Sequence, residues 1–259
     1  MLRTIDSVHG YTIQATDDEL GSVEEVYFDD EQWGVRYLVV ETGSWLSSRK
    51  VLISPYSVVG INDEDGIIEV SLTREQVKNS PDIDTHQPIS RQLEGDYSQY
   101  YGYGNYWTGP YLWGAAGHPE YPAADTVGTP PMNQRPEDLA ERINDAQQDT
   151  HLRSSDKTSG YHILGTDDEI GHVKDFIFDD KDWAVRYLLV DTRNWWPGGK
   201  KVLLGTQWIE RIDWSDSTVQ TKLTREQIKN SPEYDEDIPL DRPYEVQLHE
   251  HYGRRTYWD

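Results

Sequence analysis

Two stretches that begin 150 positions apart carry the same string of motifs, and a chain written this way folds as two copies of one small unit. The first runs Gly10-Tyr11-Thr12-Ile13, Thr16-Asp17-Asp18-Glu19-Leu20-Gly21, Phe28-Asp29-Asp30 and Trp33 through Arg36-Tyr37-Leu38. The second answers with Gly160-Tyr161-His162-Ile163, Thr166-Asp167-Asp168-Glu169-Ile170-Gly171, Phe178-Asp179-Asp180 and Trp183 through Arg186-Tyr187-Leu188. One residue is then inserted, and the match resumes from Leu72-Thr73-Arg74-Glu75-Gln76 to Leu223-Thr224-Arg225-Glu226-Gln227. Each module is about 75 to 80 residues long, a size at which one core supplies only a few kcal/mol of net stability. The two copies are therefore expected to pack against each other.

Within each module the apolar residues fall in short β-branched or aromatic runs separated by Asp, Gly and Asn, which is strand-and-turn punctuation. The strands predicted are Ser7 to Ile13, Val23 to Phe28, Val35 to Val40, Val51 to Ile53, Val58 to Ile61 and Ile67 to Leu72. In the second copy they are Val173 to Phe178, Val185 to Val190, Val202 to Leu204, Ile209 to Trp214 and Val219 to Leu223. Antiparallel strands this short close best as a small barrel or a strongly bent sheet, which also limits exposed edges. Thr73-x-x-Gln76 and Thr224-x-x-Gln227 spell capping boxes that open short helices, and Pro81 and Pro232 stop them. Ile89, Leu93 and Tyr97, like Tyr244, Leu248 and Tyr252, sit four apart and predict a further helix after Pro88 and Pro243.

Four segments follow. Residues 1–84 are the first module, and 85–154 hold a helix, a Tyr/Gly-rich segment at Tyr100 to Trp113 and a Pro-rich linker at Pro119 to Pro136. Residues 155–235 are the second module, and 236–259 a C-terminal helix and tail. A short helix with an acidic start is predicted from Glu137, ahead of the second module.

The formal net charge of −23 repels phosphate backbones and anionic lipid, so nucleic acid is not expected as a direct partner. A basic protein surface remains compatible. The chain has no cysteine, which rules out disulfides and thiolate metal sites and fits a reducing compartment. No apolar run approaches the length of a membrane span, and none follows Arg3 as a secretory signal would require. The expectation is a cytoplasmic protein without direct membrane insertion.

At Glu19-Leu20-Gly21-Ser22-Val23 with Arg36-Tyr37-Leu38-Val39-Val40, and at Glu169-Ile170-Gly171-His172-Val173 with Arg186-Tyr187-Leu188-Leu189-Val190, the chain resembles the PRC-barrel family. That family is named for the cytoplasmic domain of the photosynthetic reaction centre H subunit, and a similar barrel forms part of a bacterial ribosome-maturation factor. The resemblance covers both modules and is closest to tandem PRC-barrel proteins of bacteria. It implies a mainly β protein of two small antiparallel PRC-type β-barrels, each followed by short helices and used as a docking surface. The chain departs from both relatives: it shows neither the transmembrane helix of the one nor the basic surface of the other.

No catalytic constellation, cofactor motif or metal pattern is read. Asp17-Asp18-Glu19 with Asp29-Asp30, and their second copies, lack the spacing of a calcium loop and are read as turns. The histidines are dispersed, and His249 and His251 would not share a helix face. The candidate interaction surface is Trp33, Arg36, Trp45, Trp183, Arg186, Trp195 and Trp196, because Trp and Arg are enriched at binding hot spots. The functional expectation is a non-enzymatic adaptor for an unknown protein partner, with its modules packed on each other and a homo-oligomer compatible. The alternative is an accessory role in electron or proton transfer at a membrane complex, as in the reaction centre H subunit. A third reading is a hydrolase using acidic residues between the modules.

Overall fold

The computed structural model describes residues 1–81, 89–120, 151–193, 195 and 197–259. Most of the expected linker and the acidic-started helix fall on 121–150, outside the described residues. In chain order the strands are β1 (Leu2–Thr4), β2 (Thr12–Gln14), β3 (Glu19–Asp29), β4 (Val35–Glu41), β5 (Lys50–Ile53), β6 (Val58–Asn62) and β7 (Ile67–Val70). Then come β8 (Leu152–Ser154), β9 (His162–Leu164), β10 (Glu169–Asp179), β11 (Ala184–Asp191), β12 (Lys201–Gly205), β13 (Ile209–Asp213) and β14 (Thr218–Thr221). The strand expected at Ser7 to Ile13 is confined to its end, where β2 begins at Thr12; the 3-10 turn Asp6–Val8 and Gly10 at a φ of 77° take up the rest, and β1 lies ahead of it.

The protein is mainly β, with two seven-stranded sheets of one plan. One runs β5-β4-β3-β2-β7-β6 with β8 added on β3; the other runs β12-β11-β10-β9-β14-β13 with β1 added on β10. The expectation of small antiparallel barrels is corrected on two points. β2 pairs with β7 in parallel, as β9 does with β14, because the chain leaves β2, traverses four strands and returns beside it in the same direction. The ladders are also open, ending on β5 and β6 in one sheet and on β12 and β13 in the other. Even so, β5 and β6 are joined through Ser54 and the 3-10 turn Pro55–Ser57 alone. Such a link cannot cross a flat sheet of six strands spaced about 4.8 Å apart, so each sheet is rolled until its ends approach. Register shifts at Val23/Glu25 and Tyr27/Phe28 supply bends along the long strand β3.

The chain divides into two compact units whose membership does not follow chain order. The first-repeat unit is Val8–Ser154 with Lys181–Ala184; the second-repeat unit is Met1–Ser7, Ser155–Asp180 and Val185–Asp259. Each repeat's opening strand thus belongs to the sheet of the other repeat. Leu2, Arg3 and Thr4 face Asp179, Phe178 and Ile177, as Leu152, Arg153 and Ser154 face Asp29, Phe28 and Tyr27. The fastenings match too: Arg3 pairs with Asp180 at 2.6 Å and Arg153 with Asp30 at 2.7 Å.

Both capping boxes form, on helices Arg74–Lys78 and Arg225–Lys229. The predicted second helices are Arg91–Tyr101, capped by Ser90, and Arg242–Tyr252, capped by Asp241. The first of these covers β4, which is buried along Val35–Val40 and so needs apolar partners on both faces. Tyr97 lies edge-on to Tyr37 with centroids 5.4 Å apart, and its hydroxyl donates to the Leu52 carbonyl at 2.8 Å. Among the described residues no helix is long and apolar enough to cross a membrane.

Candidate functional site

The acidic turns carry structural bonds. In the first-repeat unit, the backbone N–H of Arg74 donates to Asp17 Oδ1 at 2.9 Å. The Arg74 guanidinium pairs with Asp18 at 2.6 Å and donates through Nε to the Glu19 carbonyl at 2.8 Å. It also lies 4.9 Å from the centre of the Trp45 ring, whose Nε1 donates to the Leu20 carbonyl at 2.7 Å. Asp18, Glu19, Leu20, Trp45 and Arg74, with Gly21, Ser22 and Glu41, line a groove of about 440 Å³. The second-repeat unit repeats the frame: the Arg225 N–H donates to Asp167 Oδ1 at 2.8 Å, its guanidinium pairs with Asp168, and Nη2 donates to the Trp195 carbonyl at 2.7 Å. There a groove of about 410 Å³ is lined by Asp167, Arg225, Glu226, Lys229 and Asn230. The repeats differ where Thr12 faces Ser22 in one and His162 faces His172 in the other, the latter 5.3 Å from the Trp195 ring.

A second repeated constellation is buried. Glu94 Oε1 accepts the hydroxyls of Tyr37 at 3.1 Å and Tyr106 at 2.7 Å, and Oε2 accepts His151 Nε2–H at 2.6 Å. In the second-repeat unit Glu245 Oε1 accepts Tyr187 and Tyr257, each at 2.9 Å, while Arg242 pairs with Oε2 at 3.0 Å. His249 donates through Nδ1 to the Arg255 carbonyl at 2.8 Å, and its Nε2 lies 3.0 Å from the Tyr187 oxygen, competing with Glu245 for the one phenolic proton. Burial holds His249 below its ordinary value of 6.5. Burial also pushes the phenols of Tyr37, Tyr106 and Tyr187 well above 10.0, with the neighbouring carboxylate adding to the effect. Neither Glu94 nor Glu245 is among the residues lining the two grooves.

One carboxyl couples the exchanged strand to pH. Asp175, on β10, accepts the N–H of Phe176 at 2.7 Å and of Asp6 at 3.2 Å, and desolvation raises its pKa from 3.8 to about 7 against those bonds. A folded pKa above the unfolded one adds stability below pH 3.8, and that stability is lost as pH rises through about 7. Thermal melts of wild type and Asp175→Asn should therefore differ in slope: the wild type loses stability across that interval, and the variant loses less. Parallel curves for the two proteins would remove Asp175 as the titrating group.

A model of the PRC-barrel domain matches residues 3–77 and 159–228, more than half of the chain. The chain belongs to the PRC-barrel domain family. A protein of Deinococcus radiodurans described as uncharacterized is 33% identical over 76 residues, which is 29% of this chain and 27% of that protein. The chain thus spans about a quarter of that relative's length.

In this PRC-barrel protein the residues expected to form an interaction surface differ in their surroundings. Trp45 and Trp195 are half-buried beside their grooves, and Trp196 lies outside the described residues. Trp33 and Trp183 hold turns with φ of 61° and 59°; Trp33 stacks on Phe28 at 5.5 Å, and Trp183 is buried. Arg186 stands over the Tyr257 ring at 4.2 Å. Arg36 is 1% exposed, so its fork cannot meet a partner. It binds Asp29 through Nε at 2.6 Å and the Leu112 carbonyl through Nη1 at 2.7 Å, with Tyr106 stacked at 3.7 Å. The Tyr/Gly-rich segment is therefore packed: Tyr101, Tyr103, Tyr106 and Trp113 are all buried. The Glu94 and Glu245 clusters were missed, although Arg91-x-x-Glu94 and Arg242-x-x-Glu245, and Tyr106-Trp107 and Tyr257-Trp258, are themselves repeats.

Proposed function

We propose that this tandem PRC-barrel protein is a non-enzymatic adaptor whose Trp45 groove receives a basic segment of a protein partner. The observation that carries this reading is the groove at Asp18, Glu19, Glu41 and Trp45, where carboxylates surround an aromatic ring held in place by Leu20 and Arg74. A lysine or arginine side chain fits such a site through its charge and through the ring face. The net charge of −23 draws a basic partner from a distance and repels nucleic acid.

Titration calorimetry with a lysine- and arginine-rich peptide, and with its glutamate-rich counterpart, tests the reading. The basic peptide should bind, weaken as salt rises, and lose about tenfold in affinity with Trp45→Ala, equivalent to about 1.4 kcal/mol. Equal binding of both peptides, or indifference to Trp45→Ala, would rule the groove out.

A further inference from the structure

The buried Tyr–Glu clusters are not used by the adaptor reading, and they share three features that packing alone does not require. The first is the acceptor. Glu94 takes two phenolic hydroxyls on one oxygen and His151 on the other, a pattern in which the carboxyl acts only as an acceptor. Phenylalanine would fill the same volume without burying a carboxylate, which is costly to desolvate.

The second feature is a path to the surface. Tyr106 meets Trp107 edge-to-face at 4.9 Å, and Tyr257 meets Trp258 in the same way at 4.7 Å. Trp107 is half-buried and Trp258 is 36% exposed. Each ring lies under an arginine, Arg91 at 5.0 Å and Arg242 at 3.8 Å. Behind Tyr106 further rings continue, with centroids 6.5 Å apart from Tyr106 to Trp113, 4.9 Å from Trp113 to Tyr56 and 5.0 Å from Tyr56 to Tyr103. The third feature is composition: no cysteine and two methionines against 17 tyrosines and ten tryptophans, so the oxidisable side chains are almost all aromatic.

We propose that each unit contains a proton-coupled one-electron relay, Trp107–Tyr106–Glu94 in the first-repeat unit and Trp258–Tyr257–Glu245 in the second. A one-electron oxidant in solution, of the radical or high-valent metal class, takes an electron from the indole and is itself reduced. The adjoining tyrosine refills the indole radical cation. As its electron leaves, its O–H bond breaks and the proton crosses to glutamate Oε1, 2.7 Å away in one unit and 2.9 Å in the other. The products are a neutral phenoxyl radical and a carboxylic acid. A one-electron reductant of the ascorbate class reverses the sequence, returning the electron through the indole and the proton to the phenoxyl oxygen. The high pKa of Tyr106 keeps its proton in place until the electron goes.

The test is flash oxidation of the full-length protein with a photo-excited ruthenium tris-bipyridine complex and persulfate, followed by optical absorption and electron paramagnetic resonance. A neutral tyrosyl signal should appear after an indole radical and form more slowly in D₂O. The double variant Tyr106→Phe/Tyr257→Phe, which keeps both rings, should lose most of that signal. Trp107→Phe/Trp258→Phe should slow its appearance. Glu94→Gln/Glu245→Gln, checked for folding by circular dichroism, should leave the indole radical unquenched. An undiminished tyrosyl signal in the Tyr106→Phe/Tyr257→Phe protein would overturn the proposal, as would absence of any D₂O effect. The tyrosine and tryptophan pairs make the outcome independent of whether the glutamate variants fold.

Discussion

Replacing Asp29 by alanine should destabilise the first-repeat unit by about 3–5 kcal/mol, because it leaves a guanidinium buried without its counter-charge. Arg36 and Asp29 have side-chain exposures of 0% and 1%, so water cannot substitute. The loss extends beyond the pair. Asp29 Oδ1 accepts the N–H of Gln32 at 2.6 Å and Oδ2 that of Gly34 at 3.2 Å, so the β3–β4 turn loses its internal bonds as well. Urea unfolding of the full-length protein followed by tryptophan fluorescence reads the change, since Trp33 sits in that turn. The double variant Asp29→Leu/Arg36→Met should recover much of the loss, because it removes both charges instead of orphaning one. A cost below about 1 kcal/mol for Asp29→Ala would mean that Arg36 finds another anion.

Gly21→Ala should cost about 3 kcal/mol or more, through backbone strain and overpacking together. Gly21 has a φ of 145°, and a Cβ there would lie 1.9 Å from the Glu41 carbonyl oxygen and 2.9 Å from Thr42 Cα. Both neighbours are backbone, so nothing can rotate away. At the matching position a Cβ on Gly171 would lie 2.5 Å from the Asp191 carbonyl oxygen, so Gly171→Ala should be costly in the same direction. Thermal melting of the two single variants checks this, and unchanged melting in both would show that the close approach relaxes easily.

That glycine explains why the repeated Glu-Leu-Gly and Glu-Ile-Gly strings were such useful guides to fold: each marks where one long strand crosses closest to its neighbour. The capping boxes were equally legible, since Thr73 and Gln76 satisfy each other three residues apart and need no distant partner. Arg36 was legible as a residue of consequence but not as a buried one, because its partner lies across a turn and its cover comes from Tyr106 and Trp113. The Glu94 cluster joins β4, a helix and the residue before β8, and no local period connects such positions. The parallel pairing of β2 with β7 was hidden for a similar reason, since it depends on where the chain returns rather than on what either strand contains.

Strand exchange was illegible on different grounds. Leu2-Arg3-Thr4 and Leu152-Arg153-Ser154 are so alike that either could occupy either edge, meeting an Asp, a Phe and an Asp-fastened Arg in both places. Sequence preference therefore leaves the choice nearly degenerate, and the connectivity of the chain decides it. In a chain shortened to its first copy, the β3 edge at Tyr27–Asp29 would have only that copy's own opening strand to cover it, and any molecule whose strand failed to fold back would offer the bare edge to a neighbour.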